Sequence, residues 1–286
     1  MSRNLLVSST LAILLAPAVS AADTVFDPLS MDRHTPTTTV GVDFGYEQWD
    51  EPPGYDHLTV FGLTIGGHYM TPGGFGGYLA IPLSYIDYEF NVGPVRFDDS
   101  ELALGNIEGG FQYAKWFRRD AAVVFHAGLA LPTADDDDAG AFQYYASVPR
   151  YGDLVQRLPN STWLRLGVSP MGRSGKLFWR ADLGLDLVLD DERETNAGDI
   201  SPILRLNVGG GVDLGTAQLL AELVTNVIDS NGGDDTASTL TLGARFASGN
   251  LRPGVGLLFP LGFDDTQLDY LDFALLLSLS IHVDPR

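Results

Sequence analysis

Twelve residues with polar or ionisable side chains fall at alternate positions within extended stretches of the chain: Glu108, Gln112, His126, Arg165, Arg180, Asp182, Asp186, Arg205, Asn207, Glu222, Asn226 and Arg245. Both charge signs are present, so two chemistries are open. If the groups share a dry interior, Arg180, Arg205 and Arg245 must pair with Asp182, Asp186 and Glu222 in a salt-bridged core, because unpaired buried charge is costly. If they face water, they line a narrow polar pore or a solute site.

Two further groups could do chemistry. The run Asp135, Asp136, Asp137 and Asp138 offers the hard oxygen ligands that Ca2+ takes, but without the spacing of an EF-hand, so a solvated loop tip is the reading and no metal site is assigned. His126 could serve a hydrolase dyad acting on membrane lipid, but no G-x-S-x-G serine motif accompanies it. The sequence therefore names no catalytic residue and no cofactor, and the chain is read as a non-enzyme.

The elements that must position these residues are strands. In Phe178 to Leu189, apolar Trp179, Ala181, Leu183, Leu185, Leu187 and Leu189 alternate with Arg180, Asp182, Gly184 and Asp186. A period of two is a strand, and about ten residues is the length of a tilted membrane-spanning one. The pattern recurs near the other end, with Leu271, Phe273, Leu275, Leu277, Leu279, Ile281 and Val283 on one face. One amphipathic strand cannot satisfy its backbone in lipid, and only a closed barrel leaves no edge.

Read in order, the chain holds about twelve strands, an even number as single-chain bacterial barrels have. One of them is read as Glu101 to Trp116, preceded by a loop at Asn91 to Ser100. The short connections (Thr71 to Gly74, Phe117 to Asp120, Gly249 with its neighbours) are neutral or basic, and the long ones are acidic, among them Asp50 to Asp56, the Asp135 loop, Asp190 to Asp199 and Ser230 to Asp235. That alternation matches short periplasmic turns and long external loops. Trp49, Tyr69, Trp116 and Tyr270 fall near strand ends, where an aromatic girdle sits. The fold class is all-β: a transmembrane antiparallel up-and-down barrel. With about twelve strands it is wider than barrels that side chains merely fill and narrower than aqueous porins.

Composition and targeting agree. Of 286 residues, Lys+Arg number 17 against Asp+Glu 37, a net charge of -20, which disfavours nucleic-acid binding; there is no cysteine. Residues 1–21 (Arg3, an apolar run from Leu5 to Leu15, then small residues to Ala21) read as a secretory signal peptide. Residues 22–36 form an irregular periplasmic lead that could plug the lumen from below, and residues 37–286 the outer-membrane barrel. The expected partners are outer-membrane lipid and lipopolysaccharide and a small-molecule solute.

Three segments carry a resemblance. The stretch GNIEGGFQYAKW is similar to a G-D-x-x-x-G-x-x-Y strand, GLALPTADDDDAGA to a G-x-x-x-P-T-G strand end, and LRPGVGLLFPLG to a late strand of the same group. Together they resemble the outer-membrane barrels associated with the meta-cleavage pathway of phenol degradation, with Asn106 in place of Asp and Ala134 in place of Gly. The resemblance implies a channel or uptake protein for small solutes, hydrophobic or aromatic ones included, and supplies no catalytic residues. The alternative reading is a sealed structural or adhesion barrel acting through its acidic external loops.

Overall fold

The computed structural model describes residues 26–49, 56–92, 95–134, 145–191, 202–230, 233–246, 249–261 and 271–283. The signal-peptide reading, the Asp135 to Asp138 run and Tyr270 lie outside them. Thirteen strands are present among the described residues: β1 (Thr38–Trp49), β2 (His57–Met70), β3 (Phe75–Val92), β4 (Val95–Leu104), β5 (Glu108–Arg118), β6 (Ala121–Ala130), β7 (Ser161–Ser174), β8 (Leu177–Asp191), β9 (Ile203–Asp213), β10 (Ala217–Ser230), β11 (Gly233–Phe246), β12 (Leu251–Leu261) and β13 (Leu271–Val283). Each pairs antiparallel with its neighbours, and β1 closes the sheet on β13 in a register running from Thr38 opposite Val283 to Trp49 opposite Leu271. No described helix is long and apolar enough to cross a membrane, as expected of a chain that crosses with strands.

The closed barrel has twelve staves because β4 and β5 are two pieces of one. On β3, residues Leu83–Val92 pair with β4, and Phe75–Ala80 pair with β5. The strand read as Glu101 to Trp116 is thus broken, and of the segment read as a loop at Asn91 to Ser100, residues 91–92 end β3 and 95–100 belong to β4, paired antiparallel from Val92 opposite Val95. Similarly, Ser230 to Asp235 is not a long loop: β10 and β11 stay paired out to Ser230 opposite Gly233.

The break has an identifiable cause. Asn106 turns inward and donates through Nδ2 to the carbonyls of Val155 (3.0 Å), Leu158 (2.6 Å) and Ser161 (3.3 Å), while its Oδ1 accepts from the Ala134 amide at 3.0 Å. Its own amide bonds the Gln156 carbonyl at 2.7 Å. The stave gives up its ladder here and bonds a segment inside the barrel instead. An aspartate would point a carboxylate oxygen at three carbonyls, so asparagine suits this position where the aspartate of the resembled motif would not.

The outer wall is apolar and the inner wall polar, as alternation requires. Leu183, Leu185, Leu206, Val208, Leu277 and Ile281 are exposed on the outside, whereas Arg165, Arg180, Asp186, Arg205 and Glu222 are at most 1% exposed. Two positions depart from the reading above. Trp49 is buried and packs edge-on against Tyr145, with ring centroids 4.7 Å apart, so it belongs to no external girdle; it shares the inward parity of Glu47. Leu271 is also buried, because the register slips between Gln48 and Trp49, and a one-residue slip reverses the face. Tyr69 and Trp116 are exposed on the outside.

Replacement of Asn106 by Asp should loosen the interior segment while sparing the barrel. Amide exchange across Tyr145–Arg157 is expected to accelerate by an amount corresponding to on the order of 3 kcal/mol. Unchanged protection there would show that the Asn106 bonds do not hold that segment.

Candidate functional site

Two segments occupy the lumen. Residues 26–37, the lead into β1, bend upward from the end where the short turns lie. A 3-10 helical segment, Tyr145–Arg157, comes from the β6–β7 connection at the opposite end, and every one of its residues is buried. They meet near mid-barrel. Arg150 donates to the carbonyls of Leu29 (Nη1, 2.6 Å) and Met31 (Nη2, 2.7 Å), and Arg33 pairs with Asp153 at 2.8 Å.

The wall from β5 to β11 supplies the anchors. Arg165 on β7 reaches Glu108 on β5 (2.5 Å), Asp186 on β8 (3.2 Å), Asp153 (3.2 Å) and the Gly152 carbonyl (2.6 Å). Arg205 on β9 bridges Asp186 (3.0 Å) and Asp32 of the lead (2.9 Å). Asn226 on β10 donates to the Tyr151 carbonyl at 2.6 Å, and Gln112 on β5 lies 2.7 Å from the Met70 sulfur. Arg180 pairs with Asp182 along β8 at 2.7 Å. Asn207 on β9 accepts from the Thr225 amide at 3.3 Å.

One of the ion pairs anticipated from the sequence, Arg245 with Glu222, is not formed among the described residues. Glu222 takes no arginine: its carboxylate accepts the amides of Leu29 (2.7 Å), Ser30 (2.7 Å) and Met31 (3.0 Å) and the Ser30 hydroxyl (2.9 Å). Arg245 pairs with Asp27 (3.4 Å) and donates to the carbonyls of Asp27 and Pro28. Both groups sit at the right alternation, but the irregular lead, whose path no periodicity reveals, takes them. The same holds for Asp32, His34, Arg150, Asp153 and Arg157, which sequence reasoning missed because they lie on aperiodic segments.

The charges of the inserted segments are set by this pairing. Burial alone would raise the Asp153 pKa, yet Arg33, Arg150 and Arg165 outweigh it and hold the carboxyl well below the usual carboxylate range. Its contribution to docking is present above the ordinary carboxylate pKa and lost only as pH falls through the depressed value, so mild acid should leave the plug seated. Burial likewise pushes His34 well below the usual imidazole range.

The opposite wall carries fewer charges but still holds the plug closely: Thr35 of the lead bonds His68 on β2 at 2.7 Å, Ser280 on β13 donates to Asp27 at 2.7 Å, and a Cβ at Gly45 on β1 would collide with Pro149. Gly41 and Gly45 on β1, Gly62 and Gly66 on β2 and Ser278 and Ser280 on β13 border two adjoining voids that share Asp43, Arg150 and Ser278. Asp43 meets Arg33 at 3.6 Å and Arg150 at 3.5 Å, longer than the main contacts across the lumen, and keeps about a fifth of its side chain exposed. Each of these two voids has room for only a few waters.

A closed antiparallel barrel of twelve staves, apolar outside and polar inside, is the outer-membrane type of fold. No protein-family model and no curated protein matches the chain. Among solved structures, an outer membrane channel from Pseudomonas putida F1 superposes with a TM-score of 0.57 at 10% identity, covering 93% of this chain and 100% of that one. KdgM porin (TM-score 0.46, 11% identity, 86% and 100% covered) and LpxR from Salmonella typhimurium (0.48, 8%, 86% and 100%) also match. At 10% identity the first of these establishes the fold.

Glu222 sets a direct test of the docked lead. In Glu222→Gln an amide group would face backbone donors, and losing charge-assisted bonds costs about 2 kcal/mol. Exchange at the Leu29, Ser30 and Met31 amides should rise roughly thirtyfold. The heat-dependent gel mobility of the barrel should stay as in the wild type.

Proposed function

We propose that the protein is an outer-membrane channel for small solutes, closed in this conformation by its inserted lead and 3-10 segment. One observation carries the reading: the plug's short ion pairs are concentrated on the β5–β11 wall, while on the glycine- and serine-bearing β13–β1–β2 wall it is held mostly by neutral hydrogen bonds and close packing around two small voids. Release of the Thr35–His68 and Ser280–Asp27 contacts would let the lead move from that wall and open a path past Asp43 without dismantling the Arg165 and Arg205 pairs on the other side. The resemblance to the phenol-degradation barrels favours hydrophobic or aromatic solutes, and the channel named in the structural comparison belongs to the same fold. The exposed apolar wall suits contact with lipid and, at its outer end, lipopolysaccharide.

The paired lumen also favours a second reading, a permanently sealed barrel working through its acidic external loops. A lipid-hydrolysing role for His126 has less support, because the imidazole is buried inside the lumen and points away from the lipid-facing wall.

Planar-bilayer recording of the refolded protein separates the two. The channel reading expects stepwise conductance that grows several-fold when residues 22–36 are deleted, and a shift in reversal potential toward anions in Asp43→Lys. A sealed barrel conducts in neither form, provided both show the heat-dependent mobility of a folded barrel. That result would end the channel reading.

A further inference from the structure

Where the lead passes closest to β6, three potential ligand groups converge: the Asp32 carboxylate, His34 and His126 each bring one ligand atom within 4.8 Å of the others. The His126 Nε2 lies 3.2 Å from Asp32 Oδ2, and the His34 Nε2 lies 3.6 Å from Asp32 Oδ1. Ligands around a tetrahedral Zn2+, bonded at about 2.0–2.1 Å, sit about 3.3 Å from one another. All three residues are buried, His34 at 2% and His126 at 5% exposure.

The imidazoles are under-used. Among the described residues, neither ring nitrogen of His126 makes a hydrogen bond, and His34 Nδ1 makes none. Buried polar atoms usually find partners, so these call for an explanation. The His126 ring is also accommodated on purpose by its neighbour across the ladder: a Cβ at Gly167 would collide with the imidazole. The His34 and His126 rings lie 3.9 Å apart, centroid to centroid.

Among the described residues, Asp32 has one guanidinium partner, Arg205 at 2.9 Å, and Arg205 is shared with Asp186 at 3.0 Å. Arg205 lies on Asp32 Oδ2, the oxygen His126 Nε2 also approaches, and His34 faces Oδ1, so an ion between the imidazoles would meet the carboxylate beside Arg205.

We propose that Asp32, His34 and His126 form a binding site for a borderline divalent metal of the Zn2+ class, although the sequence had pointed to no metal. Two imidazoles and a carboxylate suit Zn2+ better than Ca2+ or Mg2+, which prefer oxygen ligands. Because Asp32 and His34 are on the lead and His126 is on β6, the ion fastens the lead to the wall. Its burial means that loading accompanies insertion of the lead during folding. The site stands independently of the channel reading; only the consequence that loading keeps the lumen shut rests on it.

The full chain without its first 21 residues is refolded in detergent with Zn2+ or Co2+, then dialysed free of excess metal. The expected result is one Zn2+ per chain by elemental analysis and the intense visible bands of tetrahedral Co2+. His126→Gln and His34→Gln should each lower retention at least about tenfold while keeping the heat-dependent mobility. A variant with Asp135 to Asp138 all changed to Asn should retain the metal. Wild-type barrels that keep no metal, or metal kept equally by both histidine variants, would overturn the proposal. The metal content is read without conductance, so a sealed barrel and an empty metal site remain distinguishable outcomes.

Discussion

Everything in this structure follows from the pairing of β1 with β13. Once the first and last strands share a ladder, no edge remains to be satisfied by water, and an apolar face can turn outward around the full circumference. Closure has a cost inside. The opposite face of every strand is turned into a space that must either hold water or be filled, and the strands carry arginines, carboxylates and amides there. Filling that space with protein requires each charge to find a partner, since a buried ion left alone costs several kcal/mol.

The chain solves this by bringing irregular backbone into the lumen from both ends. Irregular segments have free amides and carbonyls, and these serve as partners that strands cannot offer. Glu222 is neutralised by consecutive amides of residues 29–31, Arg245 and Arg150 by carbonyls of the lead, and Asn106 by carbonyls of the 3-10 segment and its flank. The same exchange explains why one stave is broken: β4 and β5 surrender ladder bonds at Asn106, and the interior segment receives them.

The asymmetry of the lumen is the feature most relevant to function. Charged partners on β5 to β11 hold the plug by short ion pairs on one side, whereas β13, β1 and β2 meet it mostly with small residues, neutral hydrogen bonds and close packing on the other. A uniformly paired interior would have no direction in which to open. Here the lead, held by side-chain pairs and by the bonds of Glu222 and Arg245 to its backbone, is the segment whose release would change the lumen. A metal ion at Asp32, His34 and His126 would act on that segment and on no other.

Much of this was legible in the sequence. Alternation along Trp179 to Leu189 and Phe273 to Val283 determined that the strands had a lipid-compatible face, and the same period placed Arg165, Arg180, Asp186, Arg205 and Glu222 on the other, because side-chain direction in a strand depends only on parity. Parity fails where register slips, so Leu271 was misplaced, and it carries no information about strand interruption, so Asn106 was not seen to divide its stave. The partners of the inward residues were not legible either. Glu222 and Arg245 were matched to other strand residues, whereas their partners lie nearly two hundred or more positions away on segments with no period. The sequence by itself determined which residues face inward. Only the tertiary structure decided what they face, because the lead and the 3-10 segment are positioned by pairing with the closed wall and have no regular structure of their own to announce it.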